Sequence, residues 1–153
     1  MSWSKSMLTA GLVSTSLILA ACESTPKTKT ALSNQERLSQ YNWTTARIGT
    51  IYLASAATNK PNLKFSPDGR VSANDGCNVL TANYTAGTDT LVFSQMAHTQ
   101  RACLGDNNQI PEQFNTALNK VTHYRVAGST LRLMDHHGNA LIELNHFNNN
   151  QTQ

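Results

Sequence analysis

Asn62-Leu63-Lys64-Phe65-Ser66-Pro67-Asp68-Gly69-Arg70-Val71-Ser72-Ala73 is the stretch that decides the fold. Residues 62–66 alternate polar and apolar with a period of two, the pattern of a half-buried strand. Pro67-Asp68-Gly69 then reverses the chain: Pro presets φ, Asp bonds its own backbone and Gly permits a positive φ. Arg70–Ala73 returns as the second arm of a hairpin. Upstream, Ile48, Ile51, Tyr52 and Leu53 give Trp43–Leu53 β character. Downstream, Val79–Thr85 and Thr90–Gln95 form a second hairpin around Ala86-Gly87-Thr88-Asp89. His123–Ala127, Thr130–Met134 and Ala140–Phe147 are three more strands, joined by Gly128-Ser129, a tight hairpin signal, and by His136-His137-Gly138-Asn139. The period changes once. Ile110, Phe114, Leu118 and Val121 fall at helical spacing, which predicts an amphipathic helix over about 110–121 with Pro111 in its first turn. The predicted fold is α+β, a strongly bent antiparallel sheet or partly open barrel of about eight strands packed around one helix.

Composition narrows the function classes. The 153 residues suit one domain with short tails. Charged residues are only 14%, too few for a chain held open by its own charge. The net charge of +3 is small and the 12 Lys and Arg residues are scattered, with no basic stripe, so no nucleic-acid partner is expected.

The N-terminus carries an address. Lys5 is the only charge before Glu23, and Met7–Ala21 is an uncharged, largely apolar run of signal-peptide length, short of the roughly 20 residues that cross a bilayer. It ends in Leu19-Ala20-Ala21-Cys22, which looks like a bacterial lipobox. That resemblance implies recognition of Leu19, Ala20 and Ala21 by the lipoprotein signal peptidase, removal of residues 1–21 and acylation of Cys22. The competing reading is an ordinary secretory peptide cut after Ala21, with Cys22 incidental. Glu23, where Asp would typically signal inner-membrane retention in enterobacterial lipoproteins, leaves the outer membrane of a Gram-negative cell as the destination, facing the periplasm. The implied partner is the membrane itself, through several acyl chains on Cys22. Cleavage removes one charge and leaves 11 basic against 9 acidic side chains. Residues 22–40 read as lipidated cysteine and flexible tether, reaching on the order of 20–25 Å, with a possible short helix near 31–38 from a Ser33/Glu36 capping box. Residues 148–153 read as a polar tail.

With Cys22 taken by lipid, Cys77 and Cys103 remain. In an oxidising compartment they can form a bridge closing a loop of roughly 27 residues, worth about 3.5 kcal/mol on the chain-entropy model. The alternative is two reduced thiols packed in a core.

Gly76-Cys77-Asn78, Tyr84, Thr99-Gln100-Arg101-Ala102-Cys103, the helix around Glu112 and Phe114, and Leu131-Arg132-Leu133 together resemble the META/HslJ domain. The resemblance spans roughly residues 41–147. Members commonly carry Met where Arg101 stands and Gly where Ala82 stands. The family implies a compact antiparallel β fold with one helix, and links to heat-stress response and tolerance of novobiocin-type antibiotics. It brings no catalytic residues. The motif residues Gly76, Cys77, Asn78, Tyr84, Thr99, Ala102 and Cys103 read as architectural: Gly76 for a tight backbone, Asn78 and Thr99 for bonding turn groups, the cysteines for tying the motifs together.

Other chemistry has thin support. His136 and His137 are adjacent, so on a strand they would face opposite ways. His98, Cys77 and Cys103 suggest a mixed zinc site, but no fourth ligand recommends itself; the expectation is no metal and no cofactor. No nucleophile elbow is present. Asp68, Asp75, Asp89, Asp106 and Glu112 read as turn, loop or helix-terminus residues, and the Asn-Xaa-Thr triplets at Asn42, Asn83 and Asn150 as compositional accidents. The chain is therefore expected to be a non-catalytic envelope lipoprotein, a structural or interaction module in envelope stress and antibiotic tolerance that binds an envelope protein. The alternative is a pilot-like carrier holding an acyl chain or small apolar ligand between helix and sheet, since META domains are similar in shape to secretin-pilot lipoproteins.

Overall fold

The computed structural model describes residues 32–103 and 109–146. The expectations for the signal peptide 1–21, Cys22, Asp106, Phe147, Asn150 and the tail 148–153 lie outside the described residues. The elements are α1 (Asn34–Ser39), β1 (Asn42–Ile48), β2 (Ile51–Tyr52), β3 (Asn62–Phe65), β4 (Arg70–Asn74), β5 (Val79–Ala86), β6 (Leu91–His98), α2 (Gln109–Leu118), β7 (His123–Ala127), β8 (Thr130–Met134) and β9 (Ala140–Asn145).

Eight strands follow one antiparallel path, β6-β5-β4-β3-β1-β9-β8-β7, with the two-residue β2 folded back on β1. Period-two alternation builds the core. Leu63 and Phe65 of β3, Val71 and Ala73 of β4, Leu80, Ala82 and Tyr84 of β5, Leu131 and Leu133 of β8, and Ile142 and Leu144 of β9 all point inward and are buried. Among the described residues the two ends of the path meet only at a Thr90–His123 bridge, flanked by Leu91 N–H donating to Thr122 O (2.9 Å) and Tyr124 N–H to Asp89 O (2.8 Å). The sheet is thus a curled half-barrel.

The Pro67-Asp68-Gly69 reversal joins β3 to β4 in register Phe65–Val71, with Gly69 at φ +83° and its missing side chain beside the Tyr84 carbonyl. The run 43–53, read as one strand, is instead divided by a turn at Gly49 (φ +53°) into β1 and β2. β6 runs on to His98 through a kink at Gln95 (φ +52°), where the β5–β6 register slips by one residue.

α2 lays Phe114, Ala117 and Leu118 against the concave face. It is shorter than the spacing suggested: after Leu118, Lys120 and Val121 donate to Ala117 and Leu118, three residues back, so the helix closes in a tight turn that still buries Val121. The short helix read near 31–38 is present. Ser33 and Glu36 form a capping box, and α1 is not the end of a tether: Leu38 has no exposed surface and its carbonyl accepts the Trp43 indole N–H (2.9 Å). The packed unit therefore begins before residue 41. Its first turn reaches the β5–β6 turn through Asn34 Nδ2 and Thr88 O. α1 fills the end of the half-barrel near Trp43, and α2 the end near Ile48 and Leu141.

Truncating Leu38 to Ala is expected to cost about 2–5 kcal/mol, the same range as Leu118→Ala. Urea denaturation measures both, and a loss below about 0.5 kcal/mol for Leu38→Ala would return α1 to the tether.

Candidate functional site

The β4–β5 connection, Asn74-Asp75-Gly76-Cys77-Asn78, carries the densest polar network of the described residues. Asn74 Oδ1 accepts from Gly76 N–H (2.7 Å), and Asp75 Oδ1 accepts from the N–H groups of Cys77 (2.9 Å) and Asn78 (2.6 Å). These side chains bond backbone groups two and three residues on, which holds Gly76 at φ +101°. A Cβ there would sit 2.9 Å from the Asn59 carbonyl, so only glycine fits. Asp75 itself has no exposed surface, and its Oδ2 accepts from Asn115 Nδ2 of α2 at 2.9 Å.

The second motif closes over this loop. Asn78 Oδ1 accepts from Arg101 N–H (2.8 Å) and Thr99 Oγ1–H (3.2 Å), while Thr99 Oγ1 accepts from Val79 N–H (3.2 Å). Cys77 and Cys103 are joined in a disulfide with 5.8 Å between their Cα atoms. Gly76, Cys77, Asn78, Thr99 and Cys103 therefore converge on one patch, with exposed Ala102 at its rim. Tyr84 does not join them. It lies near the opposite end of β5, where it packs edge-to-face on Phe65 and donates to Ser66 O (2.9 Å); burial raises its hydroxyl pKa. Ala82 points inward on β5, and its methyl is accommodated opposite Val71. Sequence reasoning placed Asp75 at a turn and missed its burial. The available signal was an Asp between an amide residue and the Gly-Cys-Asn triplet, but its partner Asn115 is 40 residues away.

A surface groove of about 610 Å³ opens onto the disulfide, lined by Leu53, Lys60, Pro61, Arg101, Ile110 and Pro111 among others. A second groove of about 690 Å³ crosses the outer face of β7–β9 and includes His123, His136 and His137. The two adjacent histidines sit in the β8–β9 turn, not on a strand, and their rings lie 3.7 Å apart between centroids. Even so, among the described residues no group of three or more His, Cys, Asp or Glu side chains is placed to hold a metal ion. Beside this groove Glu143 bonds both Arg47 and Arg132 at 2.9 Å, and Arg47 also lies over the Tyr52 ring. The hydrogen bond from Arg47 holds the Glu143 carboxyl below its ordinary pKa.

The interior is filled. Beneath Leu118 of α2, among Leu63, Val71, Leu80, Phe93 and Met96, the residual cavity is about 10 Å³, room for one water at most, while an open groove of about 510 Å³ runs between the other side of α2 and Ile48, Gly49 and Leu141.

A family model for the META domain matches residues 36–146. No curated protein matches the sequence. Among solved structures, the chain is similar to one NMR structure at TM-score 0.62 and 18% identity, over 75% of this chain and 96% of that one. It is also similar to an NMR structure of a protein from Burkholderia xenovorans (TM-score 0.56, 17% identity, 74% and 86% covered). A crystal structure of a duf4847 family protein from Bacteroides vulgatus gives TM-score 0.54 at 14% identity, over 74% of this chain and 96% of that one. At these identities the likeness concerns the fold alone.

Asp75→Ala leaves three donors without an acceptor and is expected to cost about 3–5 kcal/mol. Asp75→Asn is expected to cost markedly less, because its oxygen can still serve the loop and Asn115 can turn its unpartnered Oδ1 toward the new amide. Equal losses in denaturant titrations would refute the carboxylate's role as acceptor hub. Glu143 has a lowered folded-state pKa, so its contribution is present above the unfolded carboxylate's pKa and fades as pH falls through the folded value. Glu143→Gln should lose about 1 kcal/mol at neutral pH and less in acid; a loss unchanged between the two would contradict the ion pairs.

Proposed function

The chain belongs to the META domain family, and from that membership we propose that it is a non-catalytic envelope lipoprotein that acts through its surface, as a structural or interaction module. The observation that carries this reading is the filled interior. A carrier of acyl chains needs an enclosed apolar cavity of several hundred Å³ for a ligand of that size, whereas the enclosed cavity under α2 is about 10 Å³ and the groove of about 510 Å³ beside α2 is open and rimmed by Glu112, Gln113 and Lys120. The surface offers more. β6 is paired by β5 on one side, and on the other its path meets β7 only at the Thr90–His123 bridge, among the described residues. Strands β5 and β6 carry no charged side chain, and Val79 and Val92 on them are exposed. Unprotected edges and exposed apolar residues of this kind are what strand-adding partners use.

In this proposal Cys22 carries the lipid, residues 1–21 are removed, and the domain faces the periplasm from the outer membrane. A role in envelope stress or novobiocin-type tolerance would then be exercised by holding another envelope protein. The family membership and the lipobox-like Leu19-Ala20-Ala21-Cys22 support this assignment.

Labelling cells with radioactive palmitate tests the anchor. The parent chain should incorporate label and fractionate with outer membranes, and Cys22→Ala should do neither. Outer-membrane fractionation of Cys22→Ala with normal processing would defeat the anchoring proposal. A photo-crosslinking amino acid at Val92 should capture a discrete protein adduct in intact cells, whereas lipid adducts from the same amino acid at Leu118 would favour the carrier.

A further inference from the structure

We propose that the Cys77–Cys103 bridge is an exchange-competent disulfide, opened by a dithiol whose thiolate attacks Cys77 Sγ while Cys103 leaves as the thiolate. This does not depend on the anchoring or interaction reading. Access comes first. Both cysteines line the 610 Å³ groove and both are half-buried rather than enclosed. Its walls combine the apolar Leu53, Pro61, Ile110 and Pro111 with two cations, Lys60 and Arg101, and no carboxylate is among the described lining residues. A groove of that character favours an approaching thiolate.

The direction of opening follows from what surrounds each sulfur. Cys77 is bonded through its backbone to the buried Asp75 carboxylate, at 2.9 Å, so negative charge on its side chain would develop beside an existing anion. Both sulfurs lie near the Arg101 carbonyl, Cys103 Sγ at 3.7 Å and Cys77 Sγ at 4.0 Å. Among the described residues, however, Cys103 Sγ alone has a side-chain donor, Asn78 Nδ2, directing an N–H at it from 3.9 Å, and the Arg101 side chain lines the same groove. The orientation of that amide is set by other contacts, because Asn78 Oδ1 already accepts from Arg101 N–H and Thr99 Oγ1–H. A donor and a nearby cation lower a thiol's pKa, and the sulfur of lower pKa leaves faster.

The chemistry balances as ordinary exchange. The incoming thiolate forms a new S–S bond to Cys77 Sγ, the Cys77–Cys103 bond breaks, and its electron pair goes to Cys103 Sγ. The second thiolate of the dithiol then attacks its own partner sulfur in the mixed disulfide and releases Cys77. The dithiol loses two electrons and becomes a disulfide. The bridge gains them, and both cysteine thiolates take protons from water.

Opening need not unfold the domain. Thr99 N–H to Val79 O, Arg101 N–H to Asn78 Oδ1, and Asn115 to Asp75 do not involve the sulfurs, so both motifs stay tied to the sheet and to α2 without the bridge.

The test uses the full chain in native buffer with limiting glutathione as the probe, followed by acid quenching, maleimide alkylation and peptide mapping. Glutathione should be found on Cys77 and maleimide on Cys103. Glutathione chiefly on Cys103, or no opening until denaturant is added, would overturn the proposal. With dithiothreitol, both thiols should become alkylated while the far-ultraviolet circular dichroism of the sheet persists; loss of the sheet in step with reduction would make the bridge a structural staple only. Asn78→Asp keeps the oxygen acceptor, removes the N–H and adds charge, and should slow opening about threefold or more. Arg101→Gln keeps the backbone N–H and serves as the second variant, with slowing in the same direction. Opening as fast as the parent in both variants would contradict the assignment of Cys103 as leaving group.

Discussion

The curl of this sheet is held by what fills it. Among the described residues its two ends touch at one bridge, Thr90–His123, and beyond that point β6 and β7 have no ladder between them. A barrel closed by hydrogen bonds needs no plug to keep its shape, but a half-barrel does. Here the plug comes in two pieces from distant parts of the chain. Leu38 on α1 enters one end and meets Trp43; Phe114 and Leu118 on α2 enter the other. Both are helices too short to be stable alone, so sheet and helices depend on each other.

The polar network at Asp75 is the complement of that packing. Burying a carboxylate is costly unless its oxygens are bonded. Asp75 meets the condition with two backbone donors from its own loop and one side-chain donor from α2. The same three bonds set Gly76 in its left-handed conformation and fix α2 relative to the β4–β5 connection. Asn78 then repeats the device one step outward, against Arg101 and Thr99. The family signature is thus mostly a description of how one loop is held, and the disulfide spans a patch that is already organised without it. That is why the bridge can be both present and exchangeable.

Much of the sheet was legible because one face of it is buried. Period-two alternation at 62–66 and the Pro67-Asp68-Gly69 turn identified a hairpin that the structure contains, and Ile110, Phe114 and Leu118 marked α2. Three features were hidden for physical reasons. The division of β1 from β2 turns on Gly49, a single glycine in an apolar run. The Ser33/Glu36 capping box marked α1 itself, but its docking was hidden, because one buried residue, Leu38, gives no periodicity to detect. The burial of Asp75 depends on Asn115, and a contact 40 residues away leaves no local trace. The adjacent His136 and His137 fall in the joining segment where the sequence placed them, and Asp135, bonded to the N–H groups of His137 and Asn139 at 2.9 Å, makes that segment a turn.

The protein's own side chains occupy the space beneath Leu118 of α2, which leaves the surface as the place for the proposed function. Methyl NMR of the full chain during titration with a medium-chain fatty acid tests it most directly, read at Leu63, Leu80 and Leu118 around the residual cavity. The account predicts that these three resonances stay in place throughout the titration. Saturable shifts at all three would show that α2 yields to admit a ligand, and would contradict it.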